Sequence, residues 1–87
     1  MNVLLTKKFK ASYKKRILPF KNLDKKFEAR YDLFTVNSNS PLIRDHKLKG
    51  ATKGYRAFSV TGDIRIIYYV KNNIAYFVDI GTHNQVY

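Results

Sequence analysis

Two hydrophobic periods divide the chain. Phe9, Tyr13 and Ile17 recur four residues apart, with Lys7, Lys8, Lys10, Lys14, Lys15 and Arg16 between them. That spacing predicts an amphipathic helix with a narrow apolar stripe and a strongly basic solvent face. Pro19 ends or kinks it, because its ring disfavours helical geometry in the residue before it and it has no N–H to donate. Leu23, Phe27, Tyr31 and Phe34 follow at spacings of four, four and three and predict a second helix, with Asn22 placed to cap its start. Ahead of both, Val3-Leu4-Leu5-Thr6 is a β-prone run that a strand can use.

Asn37-Ser38-Asn39-Ser40-Pro41 breaks the helical pattern and marks a loop. Residues 42–54 are polar and basic, punctuated by Gly50 and Gly54. From Tyr55 the character switches to β. The runs Tyr55 to Thr61, Ile64 to Val70 and Ile74 to Ile80 are aromatic and β-branched, and Gly62-Asp63 and Asn72-Asn73 between them are two-residue turn chemistry. They predict an antiparallel meander. Helices first and strands later give an α+β fold, two N-terminal helices packed on one face of a small antiparallel sheet, as a single domain over residues 1–87. Residues 81–87 read as a tail, and chain ends are commonly frayed.

Composition narrows the function classes. An apolar fraction of 45% with 15% aromatic is enough for one core in 87 residues and excludes intrinsic disorder. Seventeen Lys and Arg against six Asp and Glu leave +11. A field of that size calls for an anionic partner: nucleic acid, an anionic membrane surface or an acidic protein. No cysteine means no disulfide framework and no thiolate chemistry, so a reducing cytoplasm is the expected setting. Val3 to Leu5 is too short for the apolar segment of a signal peptide, and no apolar run approaches 18 residues, so no membrane span is expected.

Common catalytic motifs are absent. There is no P-loop, no GxGxxG and no Cys/His metal spacing, and His46 and His83 stand far apart without accompanying ligands. Neither metal nor small-molecule cofactor is expected. Residues 44–56 hold Arg44, Lys47, Lys49, Lys53 and Arg56 against the single acid Asp45. They form either a solvated loop or a phosphate-binding segment. Arg65 lies within Ile64-Arg65-Ile66-Ile67-Tyr68-Tyr69, the central run of the meander. Strand alternation puts Arg65, Ile67 and Tyr69 on one face and Ile64, Ile66 and Tyr68 on the other. An arginine there must reach solvent, pair with Asp63 or Asp79, or clamp a phosphate.

Taken together, these residues carry a family resemblance. Gly54-Tyr55-Arg56, Gly62-Asp63-Ile64-Arg65-Ile66-Ile67-Tyr68, Asp79-Ile80-Gly81-Thr82-His83 and Val86-Tyr87 resemble the RelE/ParE superfamily of toxins from bacterial toxin–antitoxin modules. Asp45-His46-Lys47-Leu48-Lys49-Gly50 with Lys53-Gly54-Tyr55-Arg56 is most similar to the YafQ branch. The specific motifs lie in residues 45–87; residues 1–40 match in pattern alone. The resemblance implies a toxin of a type II module that enters the 70S ribosome and cleaves mRNA without metal, held inactive by an acidic antitoxin. The ribose 2′-OH would attack the adjacent phosphate, leaving a 2′,3′-cyclic phosphate and a 5′-OH. That reaction needs a base, charge stabilisation at the phosphorane and an acid for the leaving oxygen.

Carried over residue by residue, the family's catalytic positions fall on His46, Asp63, Arg65, His83 and Tyr87, with Lys47, Lys49, Lys53 and Arg56 expected to hold RNA phosphates. Three positions depart from the pattern. YafQ-like members tend to place an acid directly after Gly-Tyr-Arg and a histidine two residues on, where this chain has Ala57 and Ser59. RelE-like members have a strand lysine where Phe58 stands. Two alternatives therefore stay open: a non-catalytic or ParE-like, DNA gyrase-inhibiting member of the superfamily, and a plain nucleic-acid-binding module.

Overall fold

Thr6 ends the first strand and starts the first helix with one side chain. Its hydroxyl accepts from the Phe9 N–H at 3.2 Å, the N-cap bond, and donates to the Phe77 carbonyl at 2.7 Å, which ties the helix start to a strand 71 residues away. The computed structural model describes residues 1–87 in the order β1 (Asn2–Leu5), α1 (Lys7–Arg16), α2 (Lys21–Val36), β2 (His46–Lys47), β3 (Arg56–Ser59), β4 (Ile64–Lys71), β5 (Ile74–Thr82) and α3 (His83–Val86). Single 3₁₀ turns at Pro41–Ile43 and Gly50–Thr52 flank β2.

Both predicted helices form on the expected stripes, but the cap of α2 falls at Phe20 instead of Asn22. Leaving Pro19, Phe20 is already extended (φ −118°, ψ 100°), so its carbonyl accepts from the Leu23 and Asp24 N–H groups at 3.0 and 3.2 Å and Asn22 is drawn into the first turn. Tyr13 of α1 donates its hydroxyl to Asp24 of α2, joining the two helices.

The sheet has the order β1-β5-β4-β3-β2. β3, β4 and β5 are the expected antiparallel meander, and β2 extends it antiparallel to β3. β1 runs parallel to β5, so the sheet is mixed where the sequence predicts an antiparallel one. The two helices and the three other strands lie between β1 and β5 in the chain, which provides the long connection that a parallel neighbour requires. Asn72 and Asn73 both take left-handed φ, 53° and 63°, the type I′ geometry that suits the twist of a hairpin.

Phe77 sits at the centre of the core, with ring centroids of Phe9, Phe34, Phe58 and Tyr68 5.4–5.9 Å away. Each such side chain contributes about 1.5–3 kcal/mol by leaving water. The predicted faces of β4 hold: Ile64, Ile66 and Tyr68 join this core, while Arg65 points to the face away from α1 and α2. Two expectations about irregular segments are corrected. Residues 44–56 are not one loop, because His46 and Lys47 pair with Ala57 and Arg56. The C-terminal tail is a helical turn, closed by Gln85 Oε1 accepting from the Thr82 N–H at 2.8 Å.

Candidate active site

The outer face of the sheet is organised in rows. Ser59, Arg65 and Gly81 align across β3, β4 and β5, and His46, Ala57 and Ile67 form the next row across β2, β3 and β4. Arg65 and His46 are therefore two strands and one row apart, about 10 Å by 7 Å from strand geometry. The space between is an open groove of about 550 Å³ lined by His46, Lys47, Lys49, Arg65, His83 and Tyr87, with Leu48, Ala51 and Thr52 completing it. No acid lines it.

Gly81 lets α3 fold back over the end of β4. A Cβ there would lie 2.6 Å from Gln85 Oε1 and 3.0 Å from Arg16 Nη1, so no side chain fits without breaking the cap of α3. Folded this way, α3 brings His83 Nδ1 to 3.0 Å from Arg65 Nη1. A guanidinium only donates, so Nδ1 is the acceptor and the neutral ring carries its proton on Nε2. Tyr87 closes the cluster: its ring meets His83 edge-on at 4.6 Å, and the Arg65 guanidinium lies 5.9 Å from its centroid.

His46 has the opposite tautomer. Its Nδ1 lies 2.9 Å from the Arg44 carbonyl, which only accepts, so Nδ1 carries a proton and, in the neutral ring, Nε2 has the lone pair. Arg44 itself takes a left-handed φ of 52°, which turns the chain and presents that carbonyl.

The strand bearing His46 is anchored from beneath. Tyr68 donates its hydroxyl to Asp45 Oδ2 at 2.6 Å, and Arg56 Nε donates to Asp45 Oδ1 at 3.2 Å and to the Tyr68 oxygen at 3.3 Å. Burial and the bond to Asp45 hold the Tyr68 phenol well above its ordinary range. Burial alone would pull the Arg56 guanidinium down, but its bonds to Tyr68 and Asp45 and the Asp45 charge raise it above its usual value. Both groups stay in the protonated form that this cluster uses. Asp45 as an anchor is not marked in the sequence, where it is a lone acid among cations.

The remaining candidates are placed as follows. Asp63 lies exposed in the β3–β4 turn, outside the lining of the groove, with no hydrogen bond or ion pair from its side chain. Arg56 faces the helix side of the sheet, opposite Tyr68, with Asp45 as its partner. Lys53 lines a neighbouring groove that shares Lys47, Leu48 and Lys49 with the first. Asp79 is taken by Arg16 at 3.2 Å and Lys8 at 3.8 Å, so it does not neutralise Arg65. Ala57 is fully buried, whereas Ser59 sits directly across from Arg65. No three His, Cys, Asp or Glu side chains gather as a metal-ligating group, and no helix is long and apolar enough to cross a membrane.

Comparison with known proteins places this geometry. A comparison with curated proteins finds no match. Among solved structures, a point mutant of YafQ from E. coli superposes with a TM-score of 0.81 at 23% identity, covering 99% of this chain and 97% of that one. The E. coli DinJ–YafQ complex gives 0.79 at 24% identity with the same coverage. A YoeB/ParE toxin from Agrobacterium tumefaciens gives 0.78 at 18% identity, over 95% of this chain and 99% of that one. At these identities the likeness is one of fold. The family model described as the bacterial toxin of the type II toxin–antitoxin system, YafQ, matches residues 1–87. The chain, along its whole length, is a member of the YafQ family of toxins from bacterial type II toxin–antitoxin systems.

Proposed function

We propose that this toxin is a ribosome-dependent mRNA endonuclease that needs no metal and acts in the cytoplasm on mRNA in the 70S ribosome. The observation that carries the proposal is the Arg65–His83 contact at 3.0 Å, set across an acid-free basic groove from His46. Three demands of 2′-OH attack have three groups to meet them. His46 Nε2, with its lone pair free, takes the 2′-OH proton as O2′ bonds to phosphorus. Arg65 stabilises the charge on the phosphorane through its donor fork. A phosphate is a stronger acceptor for that fork than an imidazole nitrogen. When it takes the guanidinium, His83 Nδ1 is released to bind a proton, and His83 delivers Nε2–H to O5′ as the P–O5′ bond breaks. The products are a 2′,3′-cyclic phosphate and a 5′-OH.

Tyr87 joins this set in a supporting role, orienting His83 by edge contact; Asp63 stands outside the groove and takes no part in this scheme. Lys47, Lys49 and Lys53 hold phosphates, whereas Arg56 is committed to Asp45 and Tyr68 in the anchor beneath His46. The E. coli YafQ relative is seen in complex with DinJ. An acidic antitoxin is accordingly the partner proposed for this chain, covering part of its +11 surface.

The test is induction of the toxin with translating ribosomes and sequencing of mRNA 5′ ends. Breaks within codons that carry 5′-OH ends support the proposal. Intact mRNA with DNA breaks would move the protein to the gyrase-inhibiting class, and binding without breaks to the non-catalytic one.

A further inference from the structure

The outer face of the sheet carries a third row that the cleavage chemistry does not use. Tyr69 and Tyr76 are paired across β4 and β5 and stack at 4.9 Å and 14°. Tyr55, just ahead of β3, sets its ring edge-on against Tyr69 at 5.7 Å and 84°. Its backbone is tied on both sides, the N–H to the Thr52 carbonyl at 3.1 Å and the carbonyl to the Leu48 N–H at 3.0 Å. Gly54, at φ 96°, makes the turn that aims it there. Tyr55 is thus a buttressed ring that is still 37% exposed.

It faces a second groove of about 580 Å³, walled by Leu48, Val70, Lys47, Lys49 and Lys53. No acid lines this groove either, and Lys47, Leu48 and Lys49 are a ridge common to it and to the groove of His46 and His83. The volume lies in the range that takes a nucleotide-sized ligand. A rigid aromatic face beside a basic ridge is the arrangement that single-stranded nucleic acid uses, bases stacking on rings while cations track the backbone.

We propose that this second groove is a base-stacking subsite for single-stranded RNA, in which one nucleobase flanking the cleaved bond stacks on Tyr55 and its phosphate is held by Lys53. The proposal rests on the nuclease reading above and gives its substrate a defined path, across the Lys47–Lys49 ridge from one groove to the other. Stacking depends on a π-face and not on a hydrogen-bond code, so the subsite is tolerant of base identity.

The experiment is equilibrium binding of a fluorescent 2′-O-methyl RNA dodecamer, which cannot be cleaved, to the full chain at several salt concentrations. Tyr55→Phe keeps the ring and should bind like wild type. Tyr55→Ala should bind about 5- to 100-fold more weakly with an unchanged salt slope. Lys53→Ala should instead lower the slope by about one. A 2-aminopurine placed along the RNA should be quenched at one position by wild type and Tyr55→Phe and not by Tyr55→Ala. Equal binding and equal quenching by Tyr55→Ala would overturn the subsite while leaving the nuclease proposal standing. RNA that wild type does not bind at any salt would overturn the subsite, while the nuclease proposal, which concerns mRNA held by the ribosome, is decided by the 5′-end sequencing above. Tyr55-dependent binding of an acidic peptide in place of RNA would reassign the groove to a protein partner and overturn it as well.

Discussion

Arg65 and His83 lie 18 positions apart in the chain and 3.0 Å apart in the fold, Nη1 to Nδ1. One comes from the central strand and the other from the first residue of a four-residue helix. In the proposed mechanism the contact does two jobs before RNA arrives. It sets the tautomer of His83, and it occupies the guanidinium with a weak acceptor that a phosphate can displace. Neither residue is in the core, so both can be changed without emptying it.

Arg65→Ala and His83→Ala should each lower cleavage by ~10²–10⁴-fold, the loss expected for an oxyanion-type donor or an acid–base group. Arg65→Lys should fall between, since it keeps the charge and loses the planar fork. Primer extension on a reporter mRNA after induction measures the rate, and ribosome pelleting checks that binding survives. Cleavage at the wild-type rate by both alanine variants would remove these residues from the reaction.

Tyr68→Phe leaves Asp45 Oδ2 without its 2.6 Å donor in a site where Tyr68 is only 2% exposed. The cost should be about 1–3 kcal/mol, read from the shift in urea midpoint. Cleavage should fall further than stability accounts for, because Asp45 precedes His46 and anchors its strand. Stability loss with full activity per folded molecule would separate the anchor from the site.

Tyr68 and Tyr13 are both held above the ordinary phenol range, first by burial and then by hydrogen bonds to Asp45 and Asp24. A raised folded value means that the neutral phenol is favoured in the native state. The stability this contributes is complete below the unfolded value of about 10 and is lost as pH rises beyond it. Urea midpoints should be unaffected by these two groups through neutral pH and decline above about pH 10. Absorbance at 295 nm should show Tyr13 and Tyr68 ionising together with unfolding. Tyrosines that all titrate freely in the folded protein would contradict the two buried networks.

Gly81→Ala places a Cβ 2.6 Å from Gln85 Oε1 and 3.1 Å from Gln85 Cβ. Gln85 must give up its bond to the Thr82 N–H, which loosens the turn that carries His83. Cleavage should drop by at least tenfold while the urea midpoint shifts only slightly, because α3 buries no core residue. Adding Gln85→Ala to relieve the collision should restore part of the activity. If Gly81→Ala cleaves normally, the close approach of α3 is not needed to place His83.

What local pattern alone determines is substantial. The apolar spacing of Phe9, Tyr13 and Ile17 and of Leu23, Phe27, Tyr31 and Phe34 is enough for two helices, because a helix repeats within a few residues. Asn72-Asn73 dictates its own turn, since asparagine tolerates the left-handed region that a I′ hairpin needs. Alternation alone puts Arg65 on the open face of β4. His46, Arg65, His83 and Tyr87 are legible as candidates through the family resemblance, and the fold gathers these four around one groove.

Tertiary structure decides the rest, and for a common reason: each missing feature depends on a partner distant in sequence. A two-residue strand such as β2 has no period to read, and it forms because β3 supplies the ladder. Asp45 looks like a loop acid until Tyr68, 23 residues on, and Arg56 fold against it. The direction of β1 follows from its pairing with β5, at the other end of the chain. Residues 83–86 form a helical turn closed by the Thr82–Gln85 capping box, and the absence of a side chain at Gly81 leaves room for Gln85 and Arg16 to approach. Residue type and spacing thus specify which groups are candidates for the proposed chemistry, while the juxtaposition of Arg65, His83 and His46 around one groove comes from long-range packing.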